Sequence, residues 1–199
     1  AGRVYKIRDP QSLTSQVVEI TPPGMAAGSV VRDIAVNPRN QDTLMLVVSN
    51  YNVQSIFWTG NATAAQPEWQ LIEGNLSTPS IRSCEIIAKT TGIEYYVGTS
   101  IGLFSTRQIN GSTTVWYRET APSGSTASMM NGAIVSSLAS RWADNTLVIG
   151  THGNGMFATG PLGNPVTVVT SVFNPIRNNT NFIKNVYPTV TRDVVKYDI

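Results

Sequence analysis

Apolar residues in this chain fall in short runs, separated by Gly, Pro, Asn and Asp, and no window of helix length carries a 3.6-residue apolar period. The pattern predicts strands and turns from end to end. One unit recurs three times: an apolar run ends in a small polar turn, and a short strand reading Phe-x-Thr follows. The copies are Leu44 to Ser49 with Phe57-Trp58-Thr59, Tyr95 to Thr99 with Phe104-Ser105-Thr106, and Leu147 to Thr151 with Phe157-Ala158-Thr159.

A spacing of about 50 residues matches propeller blades and not helical solenoids. The expected fold class is therefore all-β: the C-terminal blades, about three, of a β-propeller, spanning 28–172 with blades near 28–76, 80–119 and 129–170. The first blade takes strands Val31–Val36, Leu44–Val48, Ser55–Thr59 and Glu68–Ile72. The second takes Ile81–Ala88, Tyr95–Thr99, Leu103–Thr106 and Val115–Arg118, and the third Ala133–Ala139, Thr146–Gly150, Met156–Thr159 and Val166–Val169. Short strands at Val4–Ile7 and Val17–Ile20 place residues 1–27 at the end of a preceding blade. Three blades do not close a ring that typically needs four or more, so upstream blades of the same polypeptide are expected partners. Trp69 and Trp116 hold matching places on outer strands and are expected as buried anchors between blades.

Composition narrows the function. An apolar fraction of 41% permits a core, and a charged fraction of 13% argues against a disordered tail. A net charge of +2 with scattered basic residues gives no footprint for nucleic acid. The longest apolar run, Leu44 to Val48, is far below the ~20 residues that span a bilayer, so no membrane span is expected. The opening Ala1-Gly2-Arg3 lacks an initiator methionine and reads as a start inside a mature protein. Cys84 is the only cysteine; it lies in a strand-like run and reads as a buried, inert thiol.

Candidate chemistry is sparse. Asp33, near the start of an inner strand, is the candidate catalytic acid, with Glu85 and Asp144 as partners if geometry brings them together; the alternative is a turn or inter-blade hydrogen bond. The matching positions in the other units, read as Ser83 and Gly132, carry no acid. His152, the only histidine, lies in a glycine-rich turn and reads as a turn residue, a ligand contact or a base. One histidine cannot build a multi-histidine zinc site, and neither a calcium loop nor a phosphate loop is present, so neither metal nor cofactor is expected. Tyr51, Trp58 and Trp142 either stack on sugar rings or pack between blades; Tyr51, Trp142 and His152 form the candidate ligand-binding set. Asn61, Asn75, Asn110 and Asn178 head Asn-x-Ser/Thr sequences that read as glycan acceptors in a eukaryotic secreted protein and as turn residues in a bacterial one.

Asp33 to Asn40, Glu68 to Leu76 and the stretch Gly150-Thr151-His152-Gly153-Asn154-Gly155 resemble the exported bacterial propellers with sortilin-type and sialidase-type repeats. The resemblance covers roughly residues 28–160. The aspartate-box consensus of the sialidase branch is absent; Asn61-Ala62-Thr63 and Asn110-Gly111-Ser112 stand in its place. Beyond a polar linker at 173–182, residues 183–199 resemble the opening of a type IX secretion C-terminal sorting domain, a β-sandwich that the chain truncates. Val186, Tyr187, Pro188, Thr189 and Asp193 carry that second resemblance. Together the resemblances imply a protein secreted from, or held on the outer surface of, a bacterium. They imply a non-enzymatic binding module and type IX cargo, with the secretion machinery and a glycan or surface protein as partners. A glycan-active hydrolase, its acids mostly in other blades, is the alternative, and a structural blade set within a large adhesin is a third reading.

Overall fold

The computed structural model describes residues 2–119 and 132–159, and all structural statements concern these. They form an all-β protein. Strands β1 (Tyr5–Arg8) and β2 (Gln16–Glu19) make a hairpin. A first sheet follows from β3 (Val31–Val36), β4 (Leu44–Val48), β5 (Ile56–Thr59) and β6 (Trp69–Leu71). A second comprises β7 (Ile81–Lys89), β8 (Gly92–Thr99), β9 (Gly102–Thr106) and β10 (Tyr117–Arg118). The third comprises β11 (Val135–Arg141), β12 (Thr146–Thr151) and β13 (Met156–Ala158). Every pairing is antiparallel between chain neighbours, so each sheet is a meander. The only helix among the described residues is one 3-10 turn, Gly74–Leu76. The expected strand Val166–Val169, the linker and the tail lie outside the described residues.

The sheets repeat in detail. Each first strand is irregular at the same place, between Val31 and Asp33, Ile81 and Ser83, and Val135 and Ser137. This register aligns Asp33 with Ser83 and Ser137, which corrects the match of Asp33 to Gly132. Beyond each first-to-second strand ladder, the residue after the second strand donates one further backbone bond to the residue before the first: Ser49 N–H to Val30 O, Ser100 N–H to Ser80 O and His152 N–H to Ile134 O.

The layers stack with the first strands in contact, β3 on β7 and β7 on β11. Three apolar layers lie between them. Val4 and Ile20 of the hairpin region meet Leu44, Leu46, Val48 and Phe57. Met45, Val47 and Ile56 meet Cys84, Ile86, Val97 and Trp116. Ile87, Tyr96 and Leu103 meet Val135, Leu147, Ile149 and Phe157. Strand β4 is buried at every position because it is sandwiched, its residues alternating between two layers. Each fully buried large side chain contributes about 1.5–3 kcal/mol, so these layers dominate the stabilisation.

The repeated motif has a packing cause. Phe57, Phe104 and Phe157 are buried, each turned towards the preceding layer. Thr99 and Thr151 close the following turns by donating to the carbonyls of Gly102 (2.8 Å) and Gly155 (2.6 Å). Gly98 lies against the next sheet; a Cβ there would meet Val135 O at 2.9 Å and would also press on the Ser83 hydroxyl of its own sheet. Trp116 is 2% exposed and donates its indole N–H to Ile72 O at 2.8 Å, tying the second sheet to the first. Trp69 is half-buried, short of the full burial expected, because its partner layer is only the β1–β2 hairpin. Its indole donates to Ile20 O at 2.9 Å.

Candidate functional site

Asp33 and Glu85 lie on the first strands of adjacent sheets, β3 and β7. Asp33 Oδ2 accepts the Cys84 N–H of the second sheet at 3.0 Å, and Oδ1 accepts the Ile34 N–H at 2.9 Å. Glu85, one residue beyond Cys84, repeats the arrangement: Oε2 accepts the Ser140 N–H of the third sheet at 3.0 Å and Oε1 the Ile86 N–H at 3.0 Å. Each carboxylate thus bridges its own strand to the next sheet's first strand. Burial raises the Glu85 pKa, and the Asp33 charge adds to that shift. Burial, with the charges of Asp33 and Glu85, pushes the Cys84 thiol well above its ordinary value. Cys84 is buried and its Sγ–H points to Met45 O at 3.7 Å, which suits an inert packing residue.

A hydrolytic pair needs one carboxylate free to hold a proton at the substrate and another facing a sugar carbon or a water. All four oxygens of Asp33 and Glu85 accept backbone N–H groups. Asp144 does not join them. It lies in the β11–β12 turn, where an ion pair with Arg141 (2.5 Å) holds its pKa well below the usual carboxylate range.

The candidate ligand residues lie in three separate connections. Tyr51 is 59% exposed in the β4–β5 connection, and Trp142 is 73% exposed in the β11–β12 turn. His152 is exposed in the β12–β13 turn. Trp142 and His152 flank opposite ends of β12, six residues long, which at roughly 3.3 Å per residue separates them by about 20 Å. The His152 backbone bond is the one that Ser49 and Ser100 make in the other sheets, so that bond needs no imidazole. Trp58 packs against the layer between the first and second sheets and is not a free stacking platform.

Sequence reading missed a second polar cluster. Glu94, on the second sheet, is buried. It takes Lys89 Nζ at 2.5 Å, the Tyr96 hydroxyl at 2.9 Å, and the Arg107 Nη2 and Nε at 2.7 and 2.8 Å. Burial alone would raise its pKa, but the bonds and charges of Lys89, Tyr96 and Arg107 outweigh that and lower it. Burial and the neighbouring Glu94 charge push the Tyr96 hydroxyl strongly up. The signal was an acid inside an apolar strand, Gly92-Ile93-Glu94-Tyr95-Tyr96, which needs a cation beside it.

Two of the asparagine sites are structural. Asn75 bonds Trp116 in both directions, Nδ2 to its carbonyl (2.9 Å) and Oδ1 from its N–H (2.8 Å). Asn61 Oδ1 accepts from Thr59 Oγ1 and from Glu68 N–H, both at 2.8 Å. An open cleft of about 460 Å³ lies beside β9 and β10, lined by Arg107, Gln108, Asn110, Val115 and Tyr117 among others. Its arginine is already paired to Glu94, and among the described residues no acid lines it. Among the described residues no group of three or more His, Cys, Asp or Glu gathers to hold a metal, and no helix is long and apolar enough to cross a membrane. The sorting-signal residues Val186, Tyr187, Pro188, Thr189 and Asp193 lie outside the described residues. No protein-family model matches the chain, and no curated protein matches it.

Proposed function

We propose that the three stacked meanders are consecutive blades of a β-propeller, and that the protein is a secreted or surface-held, non-enzymatic binding module exported as type IX cargo. The observation that carries the blade reading is the contact of the first strands, β3 on β7 and β7 on β11, with the same irregularity in each. First strands that crowd together while later strands lie further out are what a ring of blades requires. The binding reading draws support from exposed aromatic rings in the connections, Tyr51 and Trp142. Glycans and surface proteins are the partner classes such rings suit.

The hydrolase alternative ranks second because Asp33 and Glu85 are occupied with backbone N–H groups. Glycan hydrolysis by the full polypeptide that vanishes in Asp33→Asn would promote it. The export reading rests on the resemblance of residues 183–199 to a sorting domain. Its test is deletion from Lys184 onward. The expected result is a folded protein trapped in the periplasm. Normal levels of the truncated protein at the surface or in the medium would refute it.

A further inference from the structure

We propose that β1 is an interior strand of an incomplete sheet, completed by a two-stranded β-ribbon that docks along its free edge and over Ile34 and Val36. The inference rests on the layered-repeat reading above and narrows what the first sheet meets.

Among the described residues, the face of the first sheet turned away from the second is only half covered. Its outer part, Leu44, Leu46, Val48 and Phe57, lies under Val4 and Ile20. Ile34 and Val36 share that face, since they pair across the strands with Leu46 and Leu44. Yet they are 43% and 47% exposed. The repeat shows that these positions are made for cover. Register places Cys84 and Ile86 at the same points of the second sheet, and both are buried beneath the first sheet.

The hairpin stops where the cover stops. The Val4 carbonyl accepts the Ile20 N–H at 2.8 Å, so by antiparallel alternation Lys6 and Arg8 also face β2. Tyr5 and Ile7 then present their N–H and C=O groups to the other edge, which pairs with no strand among the described residues. That edge runs towards β3. Gly2 N–H, ahead of β1, donates to Ser29 O, ahead of β3, at 2.9 Å, and the Trp69 indole on β6 reaches Ile20 O after β2, which sets the start of β1 towards β3 and the end of β2 towards β6; the Lys6 and Arg8 side chains reach across to Ala62 O (2.8 Å) and Thr63 O (3.3 Å) in the β5–β6 connection. An open edge beside an apolar half-face is an interaction site that proteins otherwise protect.

The occupant follows from the rest of the fold. The first and second sheets have four strands each, so two are missing beside β1–β2. At about 4.8 Å per strand they would extend the cover by roughly 10 Å, enough to reach over β3. The ribbon needs apolar side chains on the face turned to Ile34 and Val36. Both observed joins between neighbouring first strands use a carboxylate on the earlier sheet, Asp33 and Glu85, so the ribbon's inner strand should carry an acid. In every sheet the strands follow chain order outwards from the first strand. The missing strands therefore belong ahead of β1 in the same polypeptide.

The test compares the 199-residue chain with the same residues inside the polypeptide its gene encodes, by two readouts. The first is maleimide labelling of Ile34→Cys; Cys84 is buried and serves as the silent background. The second needs no substitution: amide exchange at Tyr5 and Ile7. Both rates should fall by roughly 100-fold or more in the encoded polypeptide, as expected for a site that opens only by local unfolding. Equal rates in the two would overturn the proposal, as would a gene product that adds nothing before Ala1. Protection of Ile7→Cys and Val17→Cys alone, with position 34 and the edge amides still reactive, would also overturn it. That outcome would mean a whole sheet stacked on the hairpin's outer face, and it would leave the blade reading standing.

Discussion

Truncating Trp116 should be among the most damaging single changes available, and its cost can be built from the contacts. The ring is buried between the first and second sheets, among Ile72, Leu76, Ile81 and Ile86. Trp116→Ala removes that packing and leaves a cavity, worth roughly 3–5 kcal/mol for a buried aromatic residue. It also strands the Ile72 carbonyl, which now accepts the indole N–H at 2.8 Å; an orphaned buried acceptor costs about 1–3 kcal/mol. The backbone bonds to Asn75 survive, since they use no side-chain atom of Trp116. The sum is about 4–8 kcal/mol, a large part of a typical folding stability of about 5–15 kcal/mol. Trp116→Phe keeps most of the apolar contact and should cost about 1–2 kcal/mol, chiefly the lost bond. Urea titration of both variants measures this as a shift in midpoint at unchanged slope. A near-neutral Trp116→Ala would refute the packing argument. Equal costs for Ala and Phe would show that the hydrogen bond, not the ring, holds the sheets.

Gly98→Ala should destabilise by roughly 1–3 kcal/mol because its Cβ meets backbone of the next sheet, whereas Gly150→Ala meets only the Ser137 side chain below 3.6 Å and should cost less; equal costs in thermal melts would contradict the close-approach argument. Asp33→Ala leaves the Cys84 N–H without its acceptor and should cost about 1–3 kcal/mol, while Asp33→Asn retains one acceptor oxygen and should cost less; equal midpoints for wild type and Asp33→Ala would show that the bridge is idle. Glu94 has a lowered pKa, so its contribution is present above the unfolded value of about 4.3 and is lost as pH falls through the lower folded value. The stability gap between wild type and Glu94→Gln, about 2–4 kcal/mol at pH 7 because Lys89 is left largely buried and unpaired, should close on acidification; a constant gap down to pH 3 would sink the assignment. Glu85 has the opposite sign: its pKa is raised, so its contribution is largest below the unfolded value and is lost as pH rises through the folded one.

The strands were legible because their apolar runs are short and bounded by turn residues. Leu44 to Val48, apolar on both faces, announced a sandwiched strand, and it is buried at every position. The Phe-x-Thr repeat gave the period because each Phe must fill the same slot against the layer before it. The last strand of the second sheet was less legible. Val115 and Trp116 look like strand, but only Tyr117 and Arg118 pair, because Asn75 claims the Trp116 backbone first. The roles of Asp33 and Glu85 were legible only as acids. Whether a carboxylate faces a substrate or a neighbouring strand's N–H depends on how sheets stack, and no local pattern encodes that. The Glu94 cluster joins Lys89 of β7, Glu94 of β8 and Arg107 just after β9, whose proximity comes from register rather than from spacing.

The blade reading is tested most directly by an experimental structure of the polypeptide that carries these residues. The account predicts that β3, β7 and β11 line a common axis as the innermost strands of successive blades, with β6 and β10 at the rim. Sheets that stack as an open, unclosed pile, or a ring with β6 and β10 at its centre, would contradict it.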